Sequence, residues 1–213
     1  MKRAAIIIFL VLLVDQAIKI WVKTNMYLGQ EFNVLGNWFI IHFTENYGMA
    51  FGLELGGSAG KFLLSIFRIA AVIGIGWYLR HLIIHKRHKG LITAFALIFA
   101  GAIGNIIDSA FYGMIFSESN LQVATLFPAD GGYGTFLHGR VVDMLYFPII
   151  EGHFPSWFPI WANEELIFFR PVFNISDSSI TIGVMMILLF QKTYFHTETE
   201  IPVLPGPEQP TQA

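Results

Sequence analysis

The chain contains no cysteine. This excludes a disulfide framework, a thiol nucleophile and a cysteine-ligated metal, and it suits either side of a membrane. Charge is also scarce. Asp, Glu, Lys and Arg make up 13% of the 213 residues, whereas soluble domains carry roughly 25%. The net charge of −2 offers no basic surface for nucleic acid. No His-Glu-x-x-His motif occurs, which argues against a zinc protease. No internal repeat is apparent. What remains is apolar: 54% of residues are hydrophobic and the mean hydropathy is +0.58. That balance places the chain in the membrane class.

A bilayer-spanning helix needs about 20 mostly apolar residues. Four stretches qualify: residues 4–22, 62–84, 91–112 and 175–190. The last is short, with residues 174–179 as its polar mouth. The first could instead be a signal peptide, with Lys2 and Arg3 as its basic start. However, Asp15-Gln16-Ala17-Ile18-Lys19 offers no small-residue cleavage site, and the helical pattern runs past it. An uncleaved span is therefore expected.

Lysine and arginine placement sets orientation. Lys2 and Arg3 precede the first span, and Arg80, Lys86, Arg87 and Lys89 crowd the connection between the second and third. Both regions should face the cytoplasm, and four spans bring the C-terminus back to that side. The long connections, 24–61 and 113–172, then face outward. In the first of them, apolar and aromatic runs broken at Gly36-Asn37 predict short strands with a turn. Six aromatics between Phe32 and Phe51 suit a small sheet at the membrane interface. Residues 197–213 carry four prolines and no periodicity, so a disordered tail is expected there. Residues 1–196 read as one four-span domain. Its architecture should be a mainly α, four-helix membrane bundle with a small outward β-sheet and an extended outer loop.

Several polar groups interrupt this apolar background. Asp15 and Lys19 stand one helical turn apart and can pair. They are read as a structural ion pair near the outer rim, with Lys19 and Lys23 snorkelling outward. Arg68 sits inside the second span and either snorkels or pairs with an acid. Glu45-Asn46-Tyr47-Gly48-Met49-Ala50-Phe51 is an ordinary glycine-bearing turn on its face, although the Asn46 amide can bond a peptide backbone. Gly101 and Gly104 are spaced for close helix packing. Asn105 and Asp108 share a helix face and should point into the bundle. Asp143 reads singly as a loop acid, and Asp177 as a helix cap or first-turn acid. Two carboxylates kept at a bilayer rim, beside an interior Asn–Asp pair, point instead to acid–base chemistry on a shared substrate.

Five of these segments, in order, resemble the lipoprotein signal peptidase (signal peptidase II) family of bacterial intramembrane aspartyl proteases. Asp15-Gln16-Ala17-Ile18-Lys19 is similar to DQxxK, and Asn46-Tyr47-Gly48-Met49-Ala50-Phe51 to NxGxAF. Gly104-Asn105-Ile106-Ile107-Asp108 is similar to GNxxD, Val141-Val142-Asp143 to VVDF, and Phe173-Asn174-Ile175-Ser176-Asp177-Ser178-Ser179-Ile180 to FNxADxxI. The resemblance implies that Asp143 and Asp177 are a catalytic dyad. It implies that Asn46, Gly48, Asn105, Asp108 and Asn174 line or support the substrate site. The implied substrate is a prolipoprotein, cut before a diacylglyceryl-modified cysteine. The implied enzyme is an aspartic endopeptidase that needs no metal or organic cofactor. It would be a monomer in the cytoplasmic membrane, with its site near the outer face.

Two departures stand out. Ser109 occupies the place where the family usually has arginine, and Arg140 is the candidate to supply that guanidinium beside Asp108. Residues 114–138 form an insertion holding the glycine-rich Phe127-Pro128-Ala129-Asp130-Gly131-Gly132-Tyr133-Gly134. It reads as a mobile loop, either a lid or a tolerated surface insertion. Two other classes compete: a small proton-coupled transporter using Asp15, Asp108, Asp143 and Asp177 as a relay, and a membrane scaffold that binds through the insertion. The lack of repeat symmetry counts against the transporter.

Overall fold

A computed structural model describes residues 1–47, 57–148, 150–153, 165–168 and 171–195. Gly48, the rest of its motif through Phe51, and the tail 197–213 lie outside the described residues. The fold is mainly helical, with four helices long and apolar enough to cross a membrane. They are α1 (Lys2–Asn25), α2 (Gly57–Ile84), α3 (Lys89–Ile107, carried on by further turns to Ile115) and α5 (Ile175–Phe195). These match the four expected spans, the last being longer than expected and kinked at Phe190.

α3 is the central helix. It packs against α1, α2 and α5, and 39% of its apolar window is buried, against 11–17% for the other three. Those three turn their leucines, isoleucines and phenylalanines outward, as a lipid solvent allows. Close packing depends on small residues. A Cβ at Gly101 would lie 2.2 Å from the Ser176 carbonyl oxygen of α5, and one at Gly104 2.0 Å from the Ser176 hydroxyl. The two glycines therefore do bring α3 against α5, because only a hydrogen fits against the Ser176 backbone at Gly101 and its side chain at Gly104.

One end of the bundle carries a four-stranded antiparallel sheet in the order β1-β2-β3-β6. Its strands are β1 (Glu31–Leu35), β2 (Phe39–Asn46), β3 (Val141–Tyr146) and β6 (Val172–Phe173). β4 (Ile150–His153) and β5 (Glu165–Phe168) form a separate hairpin. The β1–β2 turn falls at Gly36, whose φ of 54° suits a residue without a Cβ. In the β2–β3 pairing the register shifts between Ile41 and Thr44, after which Thr44 opposes Asp143. Irregularities of this kind re-aim neighbouring side chains. Val22, Met26, Ile41, Phe43, Tyr112, Phe116, Ala124, Val142 and Met144 form one buried cluster under the sheet. At its edge Phe39 stacks on Phe147 at 4.8 Å, and Phe147 on Phe173 at 5.9 Å.

α3 ends in a π-helical turn, Asp108–Tyr112, before α4 (Gly113–Ile115). The wider turn frees carbonyls, and the returning insertion takes them. Gly139 N–H donates to Ser109 O at 2.8 Å, Leu137 N–H to Ala110 O at 3.3 Å, and Gly134 N–H to Gly113 O at 2.8 Å. A Cβ at Gly132 would come within 2.1 Å of Gly113 O. Gly132 thus serves close backbone packing against Gly113, whereas Gly131 has a φ of 88° with nothing near it, and the base of the insertion is bonded to the end of the third span.

Gly101→Ala is expected to destabilise the bundle by about 1–3 kcal/mol through overpacking. A lowered thermal midpoint of the purified protein in detergent micelles would register it. An unchanged midpoint would contradict the close α3–α5 contact.

Candidate active site

Asp15, Lys19 and Lys23 recur every four residues and so form one stripe along α1. All three are wholly buried. Neither lysine snorkels outward, which corrects the reading from sequence. Each finds anions inside the protein that offset its loss of water. Lys19 Nζ lies 2.7 Å from Asp108 Oδ2, 3.0 Å from Asp15 Oδ2 and 3.0 Å from Asn105 Oδ1. Gln16 completes the group. Its amide donates to Asp15 Oδ2 at 3.1 Å and Asp108 Oδ1 at 3.0 Å, and its carbonyl accepts from Tyr112 Oη at 3.1 Å.

The two carboxylates held by Lys19 each grip the backbone of another element. Asp15 Oδ1 accepts from Ser176 N–H at 2.9 Å, and Asp108 Oδ2 from Val142 N–H at 3.3 Å. Ser176 immediately precedes Asp177, and Val142 immediately precedes Asp143. A single buried ammonium therefore sets the position of both candidate acids through their neighbours.

Asp143 lies in strand β3, not in a loop as its sequence context suggested, and is 5% exposed. Asn174 donates to its Oδ1 at 2.7 Å, and Asn46 to its Oδ2. Asn46 sits diagonally across the β2–β3 pair, opposite Val141, where side chains on one face reach each other. Burial, then the nearby Asp177 charge, pushes the Asp143 carboxyl up to about 7, against the opposing pull of Lys19 and the two amides.

Asp177 stands in the first turn of α5. Its own N–H donates to Asn174 Oδ1 at 2.8 Å, and its Oδ2 accepts from Asn174 N–H at 3.4 Å. This reciprocal pattern caps the helix, so the capping role foreseen for Asp177 is present. Its Oδ1 also accepts from Asn105 Nδ2 at 2.8 Å. Asn174 thus contacts both acids: its side-chain amide meets Asp143, and its backbone and carbonyl meet Asp177. Asn105 links Asp177 back to Lys19. Arg68 of α2 is half-buried, and its charge acts on Asp177 and Asp143.

Arg140 is placed elsewhere than expected. Its guanidinium bonds Glu45 Oε2 at 3.1 Å and Glu118 at 2.5 and 3.2 Å. It lies over Tyr133 at 4.8 Å and Tyr47 at 5.6 Å. The cation beside Asp108 is Lys19, so the expectation that Arg140 fills that place is corrected. Burial works against the Arg140 charge, but the bonds from Glu118 and Glu45 outweigh it and hold the guanidinium above its ordinary value. The same bond from Arg140 holds Glu118 below its ordinary value. Glu45 also receives Lys23, whose ammonium bonds Ser119 Oγ at 2.9 Å. That ammonium sits 5.1–5.7 Å from the ring centres of Phe43, Phe116 and Tyr133. This second network welds the insertion to α1 and β2. Sequence reasoning passed over Gln16 and the Lys23–Glu45–Glu118 partners; the four-residue spacing of Lys23 from Lys19 was the available signal.

A family profile for Signal peptidase (SPase) II matches residues 7–192. Among curated proteins, the chain is similar to a lipoprotein signal peptidase of Porphyromonas gingivalis. That match is 57% identical over 190 residues, covering 88% of this chain and 82% of the relative. A lipoprotein signal peptidase of Amoebophilus asiaticus is 38% identical over 186 residues, covering 86% and 75%. Among solved structures, the chain is similar to a bacterial membrane enzyme determined by the in meso method at 2.3 Å. Its TM-score is 0.60 at 25% identity, covering 94% of this chain and 95% of that one.

Lys19→Met leaves two buried carboxylates without their cation and is expected to cost about 3–5 kcal/mol. Unfolding in micelles should show this, with partial recovery in the Lys19→Met/Asp108→Asn double variant. Arg140→Ala should expose residues 118–135 to limited proteolysis without comparable loss of bundle stability. Equal protease resistance in that variant would count against the welding role.

Proposed function

The chain belongs to the signal peptidase II family, and from that premise we propose an aspartic endopeptidase that cuts prolipoproteins before a diacylglyceryl-modified cysteine. Processing of prolipoprotein signal peptides by a multi-pass membrane protease is the activity its family membership supports. The finer assignment rests on one observation: Asp143 and Asp177, far apart in sequence, are both bonded by Asn174.

In this reading Asp143 holds the proton that the pair shares, because its buried strand position favours the neutral acid. Asp177, in the first turn of α5, is the base. It takes a proton from a water molecule, and the oxygen of that water forms a bond to the scissile carbonyl carbon. Asp143 donates its proton to the carbonyl oxygen as the π bond opens. Collapse of the tetrahedral diol breaks the C–N bond. Asp177 passes its proton to the departing amine, and Asp143 recovers its own from the diol hydroxyl. Asn46 and Asn174 orient Asp143, Asn105 orients Asp177, and Asp108 positions the strand that carries Asp143. Gly48 is proposed to permit close approach of the substrate chain.

The remaining assignments follow the same reading. Residues 1–196 act as one domain. The lysine- and arginine-bearing ends at Lys2 and Arg3 and at Arg80 to Lys89 face the cytoplasm. Both termini then lie inside, and the aspartates lie near the outer face of the cytoplasmic membrane. A lipid-modified cysteine would hold the scissile bond at that depth. The acids gather at one end of the bundle, which does not suit a relay across the bilayer.

Asp143→Asn and Asp177→Asn are each expected to abolish cleavage of a diacylglyceryl-modified lipopeptide while the thermal midpoint stays near that of the parent. Substantial turnover by either purified variant would sink the dyad. With Asp143 raised to about 7, the proton that the mechanism needs is present below that pH and lost above it. Accordingly kcat/KM should fall about tenfold per unit as pH rises beyond about 7. A profile flat to pH 9 would refute the acid role of Asp143.

A further inference from the structure

The insertion is fixed at its base but bare at its tips. Its polar and small residues make the inward contacts. Ser119 O accepts from Leu28 N–H at 2.9 Å, Ala124 N–H donates to Lys23 O at 3.2 Å, and Phe116 bridges Leu126. Phe116 and Leu137 are buried at its base, but the large apolar side chains at its tips point away. Leu121 is 87% exposed and Phe127 72%, with Val123, Leu126 and Phe136 exposed beside them. Both tip residues have left-handed backbone, with φ of 58° at Leu121 and 52° at Phe127. Such positions favour glycine or asparagine, and in water an exposed leucine or phenylalanine gains nothing by occupying them. Residues 119–129 contain no charge at all.

The height of these tips relative to the bilayer follows from the helix beneath them. The third span runs from Lys89 to Ile115, 27 residues, or about 40 Å at the α-helical rise. That is about the thickness of a bilayer with its headgroup regions. With Lys89 at the inner interface, Ile115 lies at the outer one. Phe127 N–H donates to Ile115 O at 2.7 Å, so Phe127 sits at the same level, and Ala124 N–H ties the stretch after Leu121 to Lys23 O near the end of α1. A further exposed ring of the insertion meets the flank of the span: the Phe136 ring lies 5.9 Å from that of Phe111, itself exposed on the third span.

We propose that residues 119–129, through Leu121 and Phe127, dip into the outer leaflet of the bilayer as a rigid apolar anchor, with phospholipid acyl chains as the partner. The Lys23–Glu45–Arg140–Glu118 network holds the base of this anchor against the end of α1. Burying the two side chains in lipid supplies the gain that water denies them. The anchor depends on neither the catalytic assignment nor the substrate.

Because the chain lacks cysteine, single nitroxide labels can be placed cleanly. Leu121→Cys and Phe127→Cys would be labelled in the full chain in phospholipid nanodiscs. Phe9→Cys on the lipid-facing side of α1 and Asp130→Cys in the same loop serve as references. Collision rates with oxygen and with a water-soluble nickel chelate would be read for each, and a thermal midpoint matching the parent's would confirm a folded protein. Labels at 121 and 127 should match the Phe9→Cys site, with oxygen access exceeding nickel access about tenfold or more. A ratio matching Asp130→Cys overturns the anchor. Low access to both reagents overturns it too, since a protein partner or a second copy would then cover the patch.

Discussion

Lys19 Nζ is buried among Asp15, Asp108 and Asn105, and the rest of the site is arranged around it. An ammonium and two carboxylates removed from water cost several kcal/mol each unless they are mutually satisfied. Here both carboxylates also reach a further element. Asp15 reaches the N–H before Asp177, and Asp108 the N–H before Asp143. The ion cluster thereby turns a costly burial into a positional constraint. Because it acts on backbone next to the two aspartates rather than on their carboxyls, those carboxyls are left to Asn46, Asn105 and Asn174.

The π-helical turn at Asp108 connects this cluster to the insertion and the sheet. Widening the helix there frees carbonyls that the insertion bonds on its return toward β3. Ser109, buried beneath that return, stands where related chains were expected to carry arginine. Charge is supplied instead on either side: Lys19 beside Asp108, and Arg140 between Glu45 and Glu118. The two networks are separate in their ion pairs but share elements, since α1 carries both lysines and β2 carries both Glu45 and Asn46.

Much of the molecule was legible in the residues. The four spans followed from length and hydropathy, because lipid leaves a helix few alternatives. The β1–β2 hairpin followed from an apolar run broken at Gly36-Asn37. Gly101 and Gly104 could be assigned to helix packing by their spacing. What was missed concerns partners brought from elsewhere in the chain. Lys19 and Lys23 were expected to snorkel, and Arg140 to reach Asp108, because spacing along a chain does not reveal which anion another element delivers. The close approach of Gly132 to Gly113 was not visible in the glycine-rich stretch, because glycine marks both freedom and close contact and only neighbours distinguish them. Gln16 was quoted within its motif but given no role, because Asp108 and Tyr112 reach it from another helix.

By itself the sequence determined the solvent of the protein, the number of its spans, and the order of its polar motifs. Those depend on hydrophobic length and local periodicity, which are properties of contiguous chain. Tertiary structure alone decided what the polar residues do to one another. Asp143 and Asp177 come from a strand and a helix start with no local relation, and Asn174 bonds both only once β3 and α5 meet. The elevated proton affinity of Asp143 arises from burial beside a second carboxylate, and burial is a property of the assembled fold.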